Sequence, residues 1–332
     1  MAKSPSFWLT INLSSILLYP LSLIFCALAG LRRLLYKYHL LSSYRSPVPI
    51  IVAGNISVGG NGKTPLVMHL VESLKAKGFH PGVVSRGYGA KNKALKKYQQ
   101  ILVDISKEAQ LFGDEPWMIA ARTGIPVVIG TKRSQAVQYL LENHTCDIVI
   151  SDDGMQHYAM QRDYEICVID AKYLFGNQYC LPAGPLREKV ARLKEVDLLV
   201  YNGLDNKPLE LYADKSCIMQ LKFQSMVALN DRTKQKNIET LSGDSVHAIA
   251  GIGQPSRFFQ QLKQYNIHVI EHSFDDHHEY VLDELTFSDK LPVIMTEKDA
   301  VKCQKFNLEN TWYIPVTAEL TEDIVERIIA TI

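Results

Sequence analysis

Short, nearly continuous apolar runs recur along the chain at residues 49 to 53, 80 to 86, 125 to 130, 146 to 153, 164 to 170 and 196 to 202. Runs of this length without polar alternation are the pattern of strands buried on both faces, as in a parallel sheet. Between them, residues 65 to 77, 113 to 123 and 131 to 143 carry helical spacing and are long enough to serve as crossovers. Strands alternating with helices predict a doubly wound α/β fold, in which ligands collect at the carboxyl ends of the strands. From residue 206 to 243 the text turns polar and irregular, with NDRTKQKN reading as a connector, and this stretch is expected to be a linker. A second strand, Gly-rich turn and helix follow in SVHAIAGIGQPSRFFQQLKQY, with further strands at HVIEHS, LPVIMTE and WYIPV. The expected organisation is a first domain over residues 41 to 205, the linker, and a smaller α/β domain over 244 to 332. GIGQP lacks the G-x-G-x-x-G spacing and reads as a tight strand-to-helix turn.

The first 40 residues follow a different pattern, because positions 7 to 30 carry no charged side chain. The length permits a bilayer span. Three readings compete: a cleaved signal peptide with Ala27-Leu28-Ala29 as the cleavage pattern, a transmembrane helix, and a helix lying in the membrane interface. Arg32, Arg33, Lys37 and Arg45 follow the run, while only Lys3 precedes it, which places the following body on the cytoplasmic side. A membrane-associating helix is the reading carried forward.

The first apolar strand runs straight into NISVGGNGKTPLVMHL. Strand, Gly-rich turn, Lys-Thr and helix, in that order, form the layout of a phosphate-binding P-loop, and the expected fold becomes P-loop NTPase-like. Ser57, Val58, Gly59, Gly60, Asn61, Gly62, Lys63 and Thr64 are its candidate nucleotide-binding residues. Backbone N–H groups at the helix start would face polyphosphate, Lys63 would reach the outer phosphates, and the Thr64 hydroxyl would sit on Mg²⁺. Ser57 stands where the general G-x-x-x-x-G-K-[ST] spacing asks for Gly.

Acidic pairs punctuate the same strand edge. Asp152 and Asp153 directly follow the strand DIVI, where a P-loop enzyme keeps its metal carboxylate, although such pairs also serve as turn formers. Asp114 and Glu115 precede Pro116 and a helix, which suits either a helix cap or a general base acting on a hydroxyl. In FDDHHEY, His277 and His278 are too close in sequence to converge on one ion, and a catalytic imidazole paired with a carboxylate fits better. Arg187 and Glu188, in LPAGPLRE, offer a phosphate clamp and a further metal carboxylate, or else simply a polar helix start.

Composition narrows the classes. A net charge of +1 gives no nucleic-acid surface, and 47% apolar residues are ordinary for a globular chain. Six cysteines without C-x-x-C pairs indicate neither a zinc site nor a disulfide framework, and a reducing compartment follows as the default.

Taken as an ensemble, GNISVGGNGKTP, SRGYG, GDEP, SDDGMQH, LPAGPLRE, FDDHHEY and TEKDAVK, in this order behind an apolar N-terminal helix, closely resemble the tetraacyldisaccharide 4'-kinase family, the lipid A 4'-kinases. The likeness covers essentially the whole chain, and this family's loop also looks like S-V-G-G-x-G-K-T, so Ser57 fits it. The resemblance implies ATP and Mg²⁺ as cofactors and transfer of the γ-phosphate to the 4'-hydroxyl of a tetraacylated glucosamine disaccharide 1-phosphate, forming lipid IVA. It implies Asp114 and His277 as the pair activating that hydroxyl, Lys63 on the phosphates, and Thr64, Asp152, Asp153 and Glu188 around the metal, with Arg187 toward the acceptor phosphate. It further implies a glycolipid partner, no obligate protein partner, and residence at the cytoplasmic face of the inner membrane of a Gram-negative-type bacterium. The residues alone leave two other classes open, a P-loop kinase or ligase for a soluble small molecule and a membrane-attached nucleotide switch; the absence of N-K-x-D counts against a GTPase.

Overall fold

The computed structural model describes residues 5–60, 62–97, 99–204 and 209–332. A long helix, α1 (Leu13–Lys37), leads into β1 (Ile50–Gly54), whose residues are all buried. After it come α2 (Lys63–Ala76), β2 (Pro81–Ser85), the short α3 (Lys93–Lys96), β3 (Ile101–Leu102), α4 (Asp114–Thr123) and β4 (Val127–Ile129). The chain continues through α5 (Arg133–Asn143), β5 (Ile148–Asp152), β6 (Tyr164–Asp170), β7 (Leu198–Asn202) and β8 (Ser216–Phe223). A second sheet then forms from β9 (Met226–Ala228), β10 (Gln235–Lys236), β11 (Ser245–Ala250), β12 (His268–Ser273), β13 (Val293–Thr296) and β14 (Thr311–Ile314), with α6 (Pro255–Lys263) and α7 (Glu297–Cys303) between its strands. Finally β15 (Val316–Leu320) and α8 (Ile324–Ile329) return to the first sheet, whose order is β15-β8-β7-β6-β1-β5-β2-β4-β3.

The expected doubly wound parallel sheet is present, with β1 between parallel β5 and β6. Alternate residues of β1 feed two cores, Ile51 and Ala53 packing with α2 and α4, Ile50 and Val52 with α5 and the segment beyond β6. Period-two alternation along a strand produces this division.

Two features depart from the sequence reading of the chain's second half. The stretch expected as a linker supplies β8 to the first sheet and β9 and β10 to the second. Burial alternates along much of β8, which has Gln220 and Lys222 among its apolar residues, so a strand covered unevenly near the sheet edge reads as irregular text. At the other end, the last residues do not stay with the second sheet, because Ala318, Ile324, Val325 and Ile328 complete the core of the first.

α1 is long and apolar enough to cross a membrane by length and composition, yet it runs along the protein body. Its inward contacts mix polar and aromatic groups: the Ser22 hydroxyl accepts from Ala183 N at 3.1 Å, Arg33 pairs with Glu195 at 3.3 Å, Tyr19 packs on Tyr179, and Phe25 packs against the core. Just before it, Trp8 Nε1 donates to Pro182 O at 3.0 Å. Leu13, Ile16, Leu17, Leu21, Ile24, Leu28 and Leu31 face outward. An apolar stripe of that extent marks a surface made to be covered. One cysteine expectation is corrected here, since Cys26 of α1 is disulfide-bonded to Cys180, 154 residues away. Only the docking of α1 against the 175–187 segment brings the two together, so local cysteine spacing carries no trace of it.

The buried pair Arg192–Glu165 ties the segment before β7 to β6, each side chain being 5% exposed. Arg192→Met leaves Glu165 without its closest buried cation partner, and a loss of about 3–5 kcal/mol in stability is expected. Urea unfolding reads this as a lower midpoint; an unchanged midpoint would show that the pair holds nothing in place.

Candidate active site

β1 ends at Gly54, and the chain must turn sharply to enter α2 on the same face. The loop is held from one side, with Val58 N donating to Pro185 O at 2.8 Å and Ser57 bridging to Leu186. Gly62 takes φ +82° at the cap of α2, a left-handed conformation that glycine adopts without strain. Among the described residues no side chain caps this helix, and no acid stands in its first turn, so the N–H groups and positive dipole end at Lys63 and Thr64 are left for an external anion. Asn61, one of the expected loop residues, lies outside the described residues.

Lys63 reaches across to the end of the neighbouring strand, its Nζ standing 3.5 Å from Asp153 Oδ1. Arg187 donates to both Asp153 oxygens, at 3.2 and 3.1 Å. Burial alone would raise the Asp153 carboxyl, but these two cations outweigh it and hold the group well below the ordinary carboxylate range. Asp153 adopts φ +49°, and backbone held in this region by a non-glycine residue is often a mark of a functional site.

Asp152 behaves oppositely. It is 2% exposed, and burial, with Glu115 and Asp153 adding negative potential, pushes its carboxyl up to about 7 despite Lys63 and Arg133. Its Oδ2 accepts from Ser85 Oγ at 3.3 Å, whereas Oδ1 is buried with no hydrogen-bond partner. An orphaned carboxylate oxygen next in the chain to a second carboxylate, which Lys63 links to the helix start that carries the Thr64 hydroxyl, offers hard-oxygen donors that fit Mg²⁺. Among the described residues no three His, Cys, Asp or Glu side chains converge as a metal cage. A magnesium ion here would take its remaining ligands from phosphate and water, as is usual for that ion.

Across the cleft the first turn of α4 presents Asp114. Gly113 makes this possible at φ +92°, since a Cβ there would come within 2.6 Å of Tyr88 O. Asp114 Oδ2 lies 3.3 Å from His277 Nδ1, joining the first lobe to the second over 163 residues. His277 also lies 3.7 Å from Asp276 and has φ +64°, while His278 turns away to Glu284 at 2.9 Å. Tyr88, Lys91 and Glu279 join Asp114 and His277 around a small cavity of about 50 Å³.

A larger cleft of about 460 Å³ opens beside the loop, lined by Ser57 to Gly60, Ile252 to Ser256, Asp276, Tyr173, Trp8 and Leu9. The GIGQP turn therefore lines the cleft beside the loop, and Gly253 and Gly60 approach so closely that a Cβ on Gly253 would lie 3.4 Å from Gly60 N.

Glu188 is brought near this network without touching the acid pair. Its oxygens accept from Gln156 Nε2 at 2.8 Å and from the Tyr158 hydroxyl, and Arg192 lies 3.6 Å away. Three residues that the sequence reading passed over belong to the site. Arg133 is 2% exposed and donates to Gly130 O at 2.6 Å and Asp152 O at 3.3 Å, burial and the charge of Arg86 drawing it down to about 10. Gln156 links Arg187, at 3.3 Å, to Glu188. Lys298 bridges Glu115 and Asp276, each at 3.0 Å. In sequence, Arg133 looks like an ordinary cation at a helix start, and the TEKDAVK motif that contains Lys298 does not reveal the carboxylates it will meet.

An uncapped helix start after a Gly-rich loop, a lysine shared with acids at the adjacent strand end, and an acid–imidazole pair across a cleft define a P-loop phosphotransferase. Comparison with known proteins agrees. The family model described as Tetraacyldisaccharide-1-P 4'-kinase matches residues 14–332. The chain is 44% identical over 330 residues to the tetraacyldisaccharide 4'-kinase of Azoarcus sp. (strain BH72), covering 99% of this chain and 95% of that one. It is 45% identical over 317 residues to the tetraacyldisaccharide 4'-kinase of Hahella chejuensis (strain KCTC 2396), covering 94% and 91%. Among solved structures, the "apo" form of LpxK from Aquifex aeolicus in complex with ATP superposes with a TM-score of 0.81 at 29% identity, covering 95% of this chain and 98% of that one. The chain belongs to the tetraacyldisaccharide-1-P 4'-kinase family.

The Asp152 environment makes stability depend on pH in a definite direction. The folded carboxyl keeps its proton to about 7, whereas an unfolded chain releases it near about 4. Stability is therefore lost as pH rises through that window. In metal-free buffer the melting temperature of Asp152→Asn is expected to gain on wild type between pH 5 and pH 8; a pH-independent gap would contradict the burial argument.

Proposed function

We propose that the chain transfers the γ-phosphate of ATP to the 4'-hydroxyl of a tetraacylated glucosamine disaccharide 1-phosphate at the cytoplasmic face of the inner membrane. The observation that carries this reading is the Asp114–His277 pair, contributed by two lobes at a small cavity, with Asp276, the neighbour of His277, lining the larger cleft beside the P-loop. Phosphoryl transfer asks a protein chiefly for positioning and charge stabilisation. The loop residues Ser57 to Gly60, Gly62 and the start of α2 cradle the polyphosphate, and Lys63 neutralises its outer oxygens. The Asp114–His277 pair accepts the proton of the sugar hydroxyl as it attacks, Asp114 orienting the imidazole through Nδ1.

Thr64, Asp152 and Asp153 would hold Mg²⁺, which supplies neutralisation of the phosphate oxygens when bound. Glu188, placed in that set by resemblance, would have to give up Gln156 or Tyr158 to join it. Arg187, which the same resemblance points toward the acceptor phosphate, is engaged with Asp153 and Gln156, and we assign it the balancing of Asp153 as its first role.

The acceptor class follows from α1. An outward apolar stripe beside the cleft entrance at Trp8 and Leu9 suits a substrate whose acyl chains stay in the bilayer while its headgroup enters. Arg32, Arg33 and Lys37 at the end of that helix favour the cytoplasmic side.

The test is transfer of labelled γ-phosphate from ATP to acylated and deacylated disaccharide. Transfer favouring the acylated acceptor is expected; equal rates would refute the lipid-kinase reading. Lys63→Ala and Asp114→Ala are each expected to lower turnover by roughly 10²- to 10⁴-fold, with apparent ATP affinity weakened more by the first. Wild-type turnover in purified Asp114→Ala would remove Asp114 from the reaction.

A further inference from the structure

We propose that Lys298 is a positioning residue that assembles the Asp114–His277 pair by clasping the carboxylates adjoining each of its members. This deepens the proposed function and rests on the reading of Asp114–His277 as the proton-accepting pair.

Lys298 lies in the first turn of α7, on the second lobe, with its side chain 15% exposed. Its Nζ is 3.0 Å from Glu115 Oε1 and 3.0 Å from Asp276 Oδ1. Glu115 immediately follows Asp114 on α4, and Asp276 immediately precedes His277. One ammonium group therefore holds the neighbour of the acid and the neighbour of the imidazole at once, and the two come from different lobes. The side-chain approach of Asp114 to His277, at 3.3 Å, is long for a hydrogen bond to a carboxylate and does not by itself fix the pair.

Electrostatics gives the reason a cation is needed at this point. Asp114 and Asp276 both face one imidazole, and Glu115, next to Asp114 in the chain and paired with the same lysine as Asp276, also adds its charge to the environment of Asp152. Without a buried positive charge between them, like-charge repulsion would drive α4 and the 274–278 segment apart. Burial disfavours the ammonium, but Glu115 and Asp276 more than offset it and keep Lys298 charged. Lys302, one turn along α7, is taken up by Asp299 at 2.8 Å, so it is not placed to substitute.

The α4–α7 contact has a second, separate tie. Arg122 pairs with Glu297 at 3.2 Å and donates to Val316 O at 2.7 Å, so the lobes keep one anchor when Lys298 is changed. Loss of Lys298 should therefore loosen the pair without separating the lobes or disturbing Lys63 and Asp153.

The experiment compares the full-length wild type, Lys298→Met, Lys298→Arg, His277→Ala and the double variant Lys298→Met/His277→Ala in γ-phosphate transfer, with melting temperatures as a check on folding. Misplacement of a catalytic group by about 1 Å costs on the order of 100-fold. Lys298→Met is expected to lower kcat by roughly 10- to 100-fold with KM for ATP within about threefold of wild type, and Lys298→Arg to recover most of the rate. In the His277→Ala background the same change should add less than about twofold, because the lysine acts through the pair. A Lys298→Met enzyme within about twofold of wild type overturns the inference, as does a full multiplicative loss in the double variant. Wild-type turnover in His277→Ala defeats the underlying pair reading and the inference with it. A crippled His277→Ala beside a fully active Lys298→Met defeats the inference alone.

Discussion

Five carboxylates, those of Asp114, Glu115, Asp152, Asp153 and Asp276, crowd the cleft where the first sheet ends, and the arrangement survives because cations are interleaved among them. Lys63 and Arg187 hold Asp153, Arg133 stands against Asp152, and Lys298 joins Glu115 to Asp276. Repulsion among buried like charges is strong in a low-dielectric site, so each cation has a structural duty before any substrate arrives. A triphosphate brings still more negative charge into this cleft. The start of α2 and Lys63 are placed to balance it, and in the proposed function a divalent ion at the unpartnered Asp152 oxygen would do the rest.

The same edge is tied mechanically to α1. Pro185 and Leu186 grip the P-loop at Val58 and Ser57, and the preceding residues of that segment receive Trp8, Ser22 and Cys26 of the N-terminal region. The surface that would meet acyl chains and the loop that would meet phosphate are therefore separated by one short, closely bonded stretch of chain. On the proposed reading, in which one substrate comes from water and the other from a bilayer, both arrivals would meet one scaffold.

Legibility of the sequence followed contiguity. The P-loop was readable because strand, turn and helix start are consecutive, and Asp152 and Asp153 because an apolar strand announces them. Lys298 sits in a recognisable motif, TEKDAVK, yet its duty depends on Glu115 and Asp276, which only folding brings to it. Arg133 reads as a solvated helix residue and is almost fully buried. The Cys26–Cys180 bond and the return of β15 to the first sheet are likewise contacts between distant segments. β8 was missed for a different reason: its burial is uneven, so its apolar residues lack the unbroken run that marks the central strands.

The central claim is that phosphate and metal meet at the α2 start, between Lys63 and the end of β5. Its most direct test is a crystal structure with a non-hydrolysable ATP analogue and Mn²⁺ in place of Mg²⁺, read by anomalous scattering. The account predicts an anomalous peak in oxygen-ligand range of Thr64 and of Asp152 or Asp153, with the analogue's outer phosphates on Lys63. A peak away from that strand edge, or phosphates seated elsewhere in the cleft, would contradict it.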